Sequence, residues 1–86
     1  AVLIVAPPPI EEGSDIHPIG RDMGPCSKKS EMLAEEFKLW AEADGCDFLD
    51  AASFARMNQY DYMHMDVESH AKLAEKVADI LREKVR

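Results

Sequence analysis

The order of segments predicts an α/β chain built on a parallel sheet, and three observations lead there. Ala1–Ala6 is a continuous, apolar, β-branched run without alternation, which suits a parallel strand covered on both faces. A helical pattern and a second short apolar segment, Cys46–Asp50, follow it, and a long amphipathic stretch closes the chain. Strand, loop, helix, strand, loop, helix is the succession that crossover connections build into a parallel sheet.

Each element has a local reason. Pro7-Pro8-Pro9 ends the first strand, because proline cannot donate to a ladder. Residues 10–29 carry Gly13, Pro18, Gly20, Gly24 and Pro25 and read as a loop, long enough to suggest a functional or partner-facing segment. Within it Ile16, Ile19 and Met23 are the residues expected at oligomer contacts. Ser30 is placed to cap a helix from about Glu31 to Asp44, with Glu31 at the favourable end of the helix dipole. Leu33, Phe37, Trp40 and Ala41 fall on one face of it and are expected in the core or an interface. Gly45 stands where a left-handed residue ends a helix. Residues 51–60 form a second connection with room for a helical turn. Asp66 is placed to cap a final helix, Val67 to Lys84, whose apolar stripe is Leu73, Val77, Ile80 and Leu81. Lys76, Arg82, Lys84 and Arg86 lie towards its negative end.

Composition sets the outer bounds. Eighty-six residues, 47% hydrophobic and 31% charged, suffice for one small domain. A net charge of −7 and no basic patch argue against nucleic acid as a partner. The longest apolar run, from Ala1 to Ile10, is too short and too proline-rich to span a bilayer, and no basic region precedes it as in a signal peptide. Cys26 and Cys46 belong to no CxxC pattern, so two free thiols in the cytoplasm are the expectation. The chain opens without Met, inside a strand, which suggests a processed terminus or a portion of a longer polypeptide. A strand as apolar as Ala1–Ala6 needs neighbours on both edges and helices on both faces. Two strands and two helices cannot supply them, so the sheet is expected to be completed by a preceding segment or a second chain.

The segment Asp61-Tyr62-Met63-His64 points most directly at chemistry. A carboxylate three residues before an imidazole can accept a proton from one ring nitrogen and leave the other as an outward-facing base. No convincing nucleophile accompanies it.

Taken together, Val2–Ile10 with its triple proline, Lys29-Ser30 opening a helix, Gly45–Ala51, and Asp61-x-x-His64-x-Asp66 before a closing helix resemble the C-terminal part of SGNH (GDSL-type) hydrolases. The likeness is closest to the branch of arylesterases, acyltransferases and lysophospholipase-like esterases, and it covers nearly the whole chain. It implies a flavodoxin-like three-layer fold and hydrolysis of small carboxylic esters by a Ser–His–Asp triad, with no cofactor and with Asp61 and His64 as the orienter and the base. It also implies that Pro8, Pro9 and Met63 could line the substrate pocket, and that homo-oligomers could form. Tyr62 stands where the family usually has Gly. The family's Gly-Asp-Ser nucleophile, oxyanion-hole Gly and Asn do not occur. Gly13-Ser14-Asp15 has the letters of the nucleophile motif in another order and is not assigned its role. The resemblance thus implies a chain inactive without a Ser-bearing part.

Blander readings stand beside these. Asp61 could simply lie in a surface turn and cap a helix. His17 reads as a solvated loop residue and His70 as an exposed helix residue. Asp61, His64, Asp66 and His70 are possible metal ligands, but a spacing of six between the two histidines fits a helical zinc site poorly. The alternative to a catalytic portion is a non-catalytic α/β interaction module or small subunit.

Overall fold

A computed structural model describes residues 1–16 and 26–85. Strand β1 (Leu3–Ala6) and strand β2 (Asp47–Asp50) pair in parallel, Leu3 opposite Asp47 and Ala6 opposite Asp50. Four helices accompany them among the described residues: α1 (Gly13–Ile16), α2 (Cys26–Ser30), α3 (Leu33–Asp44) and α4 (Val67–Lys84), with a 3-10 turn at Ala51–Ser53. The chain is therefore mixed α/β with a small parallel sheet. The described helices include none long and apolar enough to cross a membrane.

Helix α3 packs across both strands. Ala41 is fully buried, and Ala34 and Phe37 are half-buried on the same side. This overturns the core alternative for part of the expected stripe. Leu33 and Trp40 lie about a quarter-turn or more around the helix and are exposed, Trp40 by 64%. The small side chains of Ala34 and Ala41 bring the helix close to the sheet, and the large ones fall outside that contact.

The start of this helix also differs from expectation. Ser30 does not cap it. The N-cap position is Met32, which makes no side-chain bond, and Ser30 instead ends the separate helix α2. The Ser30 hydroxyl accepts the Ile10 N–H at 2.8 Å and donates to the Ser27 carbonyl at 2.7 Å. The physical reason lies in the prolines. Three consecutive residues without N–H groups leave Ile10 as the first donor after β1, and the buried Ser30 oxygen satisfies it.

Residues 10–16 are also more ordered than a plain loop. Asp15 accepts the Ser27 hydroxyl at 2.5 Å and its N–H at 3.3 Å, tying α1 to α2. The Ser27 hydroxyl is the main reason the Asp15 carboxyl ionises below the ordinary carboxylate range. Ser14 is fully buried, with its hydroxyl 3.7 Å from Cys26 Sγ. Ile16 is exposed. His17, Pro18, Ile19, Gly20, Met23, Gly24 and Pro25 lie outside the described residues.

Two helix ends follow the sequence closely. Gly45 takes φ +68°, and its N–H reaches the carbonyls of Ala41 and Glu42. Asp66 caps α4 by accepting the Ser69 N–H at 2.7 Å. The hydroxyl of Ser69 in turn accepts the Arg56 N–H at 2.7 Å, which fixes the helix start to the preceding connection. The Lys84 ammonium pairs with Asp47 at 3.0 Å and ties the far end of α4 to β2.

The core is thin. The buried hydrophobic residues are Ala6, Ala41, Ala51, Ala55 and Met57. Leu3, Ile4 and Val5 of β1 remain half-exposed, as do Leu73, Val77 and Ile80 of α4, and Leu81 is exposed. The molecule is 15 Å across its shortest axis, too little for helices on both faces of a sheet. Cys26 and Cys46 are free thiols.

Replacing Gly45 with Ala should destabilise the fold by about 1 kcal/mol, the cost of a left-handed conformation for a residue with a Cβ. A Cβ there meets nothing within 4 Å, so the effect is conformational. A urea midpoint that did not fall would show that the α3 end does not need this geometry.

Candidate active site

Residues 56–66 form a closed loop between the 3-10 turn and α4. Three cross-links close it. The Asp66 N–H donates to the Arg56 carbonyl at 3.0 Å, Met57 and Met65 form an antiparallel bridge, and the Asn58 N–H donates to the His64 carbonyl at 2.6 Å. Asp61 and His64 sit at the tip.

The Asp61 carboxylate organises that tip. Its Oδ1 accepts the Met63 N–H at 2.9 Å and the His64 N–H at 3.1 Å. Its Oδ2 lies 2.6 Å from His64 Nδ1. The Met63 N–H foremost, then the His64 ring and the His64 N–H, hold the Asp61 carboxyl far below the ordinary carboxylate range. A carboxylate that stays ionised can only accept, so Nδ1 must carry the proton and Nε2 is left as the acceptor. The His64 side chain is 78% exposed while that of Asp61 is 22% exposed. The carboxylate is shielded and the imidazole is open.

Tyr62, between the two, has φ +62°. Here the chain needs the left-handed conformation that Gly adopts without strain, and Tyr adopts it instead. The compensation is at Gly13. A Cβ on Gly13 would lie 2.6 Å from ring carbons of Tyr62, so the Tyr62 ring occupies space that only glycine leaves free. The Tyr62 carbonyl accepts the Glu11 N–H at 3.0 Å.

Glu11 completes the junction. One carboxylate oxygen pairs with the Arg56 guanidinium at 2.9 Å, and the other accepts the Met57 N–H at 3.0 Å. Beside this junction opens a cleft of about 480 Å³, walled by Pro8, Pro9, Glu11, Arg56, Met57 and Tyr62 among others. Pro8 and Pro9 thus reach a cavity next to the loop. Met63 and His64 are not part of its wall among the described residues; Tyr62, which lies between Asp61 and Met63 in sequence, is.

Of the residues weighed as metal ligands, Asp66 serves as a helix cap and His70 is exposed on α4. No group of three His, Cys, Asp or Glu side chains gathers as metal ligands would among the described residues. Sequence reasoning missed Glu11, Gly13 and Asn58. For Asn58 a signal existed, since Asn side chains commonly bond the main chain two residues on. For the pairing of Gly13 with Tyr62 there was none, because the two are brought together only by the fold.

No family model and no curated protein matches the sequence. A crystal structure of a longer chain is similar, with a TM-score of 0.86 and 36% identity over 95% of this chain. This chain spans 37% of that structure's length.

The hydrogen bonds to Asp61 fix the sign of its pH dependence. Its depressed carboxyl ionisation contributes stability that is fully present above the unfolded value near 3.9. That contribution is lost only as pH falls through the lower folded value. The carboxyl carbon resonance of Asp61 should therefore titrate well below the ordinary carboxylate range, and a midpoint near 4 would mean that the three bonds do not hold. The environment of Tyr62 gives a second expectation. Gly13→Ala should displace the ring and shift the Tyr62 and His64 resonances, whereas Tyr62→Gly should preserve the Asp61–His64 bond, because glycine takes φ +62° freely.

Proposed function

We propose that this chain is the base-bearing portion of a serine ester hydrolase of the SGNH type. The observation that carries the reading is the 2.6 Å contact of Asp61 Oδ2 with His64 Nδ1, which turns Nε2 outward as a proton acceptor. In this mechanism a serine hydroxyl from another stretch of polypeptide attacks the ester carbonyl as His64 Nε2 takes its proton. Asp61 stabilises the resulting imidazolium and keeps its tautomer. The imidazolium then gives the proton to the departing alcohol. Water, or an acceptor alcohol, repeats the step in reverse on the acyl-enzyme, with His64 again as the base. Oxyanion donors come from the same outside polypeptide as the serine.

The family's position for Gly after the Asp supports this reading in physical terms. Tyr62 stands there in the left-handed conformation that a glycine would favour. The incomplete packing supports it too. Half-exposed Leu3, Ile4 and Val5 suit a strand that belongs to a larger flavodoxin-like, three-layer sheet, and the similar crystal structure is of a longer chain. His64, open to solvent on its ε side, suits a base whose partner hydroxyl arrives with that missing layer.

The test has two parts. The 86-residue chain alone should hydrolyse p-nitrophenyl acetate no faster than equimolar imidazole. Material purified from the cells that make it should contain a serine that reacts with a fluorophosphonate, either upstream on one polypeptide or on a companion. His64→Ala in that material should lower kcat by about 10⁴-fold or more. Absence of any such serine would leave the alternative, a non-catalytic interaction module, as the better reading. The exposed Trp40 and Leu39 on the outer face of α3 would then be the place to look for its partner.

The cleft sets a preference. Among the described residues Glu11, Glu12 and Glu31 line it with only Arg56 to oppose them, and Glu11 already holds that guanidinium. An anionic acyl group placed there meets net negative charge. The active assembly should therefore favour p-nitrophenyl acetate over p-nitrophenyl hemisuccinate by roughly tenfold in kcat/KM, the size of one weakly screened like-charge contact. Equal rates would place the acyl group elsewhere.

A further inference from the structure

We infer that Asn58 is the positioning residue of the Asp61–His64 pair; the inference rests on reading that pair as orienter and base. Asn58 holds both members at once. Its side-chain Oδ1 accepts the Tyr60 N–H at 2.8 Å and the Asp61 N–H at 3.0 Å. Its own N–H donates to the His64 carbonyl at 2.6 Å. The side chain therefore fixes the main chain on which the carboxylate is mounted, and the backbone fixes the main chain on which the imidazole is mounted.

The placement matters because of what lies between. Tyr62 occupies a left-handed conformation, which for a residue with a Cβ relaxes when its flanks are free to rotate. Asn58 clamps the N-terminal flank at Asp61 and the C-terminal flank at His64. Asn58 is itself anchored. It is half-buried, and it follows Met57, which is bridged to Met65 and donates its N–H to Glu11. An acceptor at position 58 thus transmits the rigid junction with β1 to the tip of the loop. Its two bonds go to N–H groups, so the position requires an acceptor oxygen and makes no use of the amide's charge-neutral NH2 in this role. Asp should replace it and Leu should not, although Leu is similar in size.

The readout is the tautomer of the His64 ring, observed by nitrogen-15 NMR on the 86-residue chain above the imidazole's titration. The native chain should show a protonated Nδ1, with a downfield proton, and an unprotonated Nε2. Asn58→Leu should lose the downfield proton and give a mixture of tautomers while the circular dichroism spectrum stays native. Asn58→Asp should restore the single tautomer. A Leu variant that keeps the native signature would overturn the positioning role, and so would an Asp variant that fails to restore it. Loss of both the signature and the native circular dichroism spectrum would also count against it, as a general structural effect. These results are separable from failure of the proposed function. A native chain without the Nδ1 proton would sink the base assignment itself, whereas a native signature insensitive to Asn58 sinks only the role given to Asn58.

Discussion

Glu11 ties the exit of β1 to the loop that carries Asp61 and His64 by three separate bonds. Its N–H meets the Tyr62 carbonyl, one carboxylate oxygen meets the Arg56 guanidinium, and the other meets the Met57 N–H. The arrangement follows from the triple proline just before it. Pro7, Pro8 and Pro9 cannot donate, so the segment leaving the sheet has no ladder to follow, and the first available N–H groups must find partners elsewhere. Ile10 finds Ser30 and Glu11 finds Tyr62. The same two contacts that satisfy the backbone also decide where α2 ends and where the loop docks. The chain thus converts a loss of donors into a fixed junction, and the cleft lies along that junction.

The tip of the loop depends on a different constraint, the exchange of roles between Gly13 and Tyr62. A left-handed turn is wanted after Asp61 so that its carboxylate can fold back onto the Met63 and His64 N–H groups. Glycine would provide it without strain. Here the glycine is distant in sequence, and its missing Cβ makes room for the aromatic ring instead. The strain of Tyr62 is offset by ring packing and by the bonds to its neighbours. A conserved-looking motif would have hidden this, because the local pattern Asp-Tyr-Met-His lacks its own glycine and borrows space from another.

Legibility from sequence followed the range of the interactions. The caps at Gly45 and Asp66 and the span Val67–Lys84 were readable because each is settled within a turn of helix. The contact of Asp61 with His64 was readable for the same reason, being confined to four residues. Ser30 was misread, because its hydroxyl serves Ile10, twenty positions away. Of the two places expected for Trp40, core or interface, the core is taken by the small pair Ala34 and Ala41, because periodicity alone cannot tell which side of α3 meets the sheet. The run Ala1–Ala6 reads as a strand covered on both faces, whereas Leu3, Ile4 and Val5 are half-exposed here, because one parallel neighbour and α3 do not cover them.

The imidazole is aimed by bonds that all fall between Arg56 and Asp66. Closing a loop of about ten residues takes on the order of 10–100 ns and carries a modest entropic cost. The parallel pairing of β1 with β2 must wait for the long crossover between them. The contacts that orient the imidazole therefore close a shorter stretch of chain than the sheet beside them does.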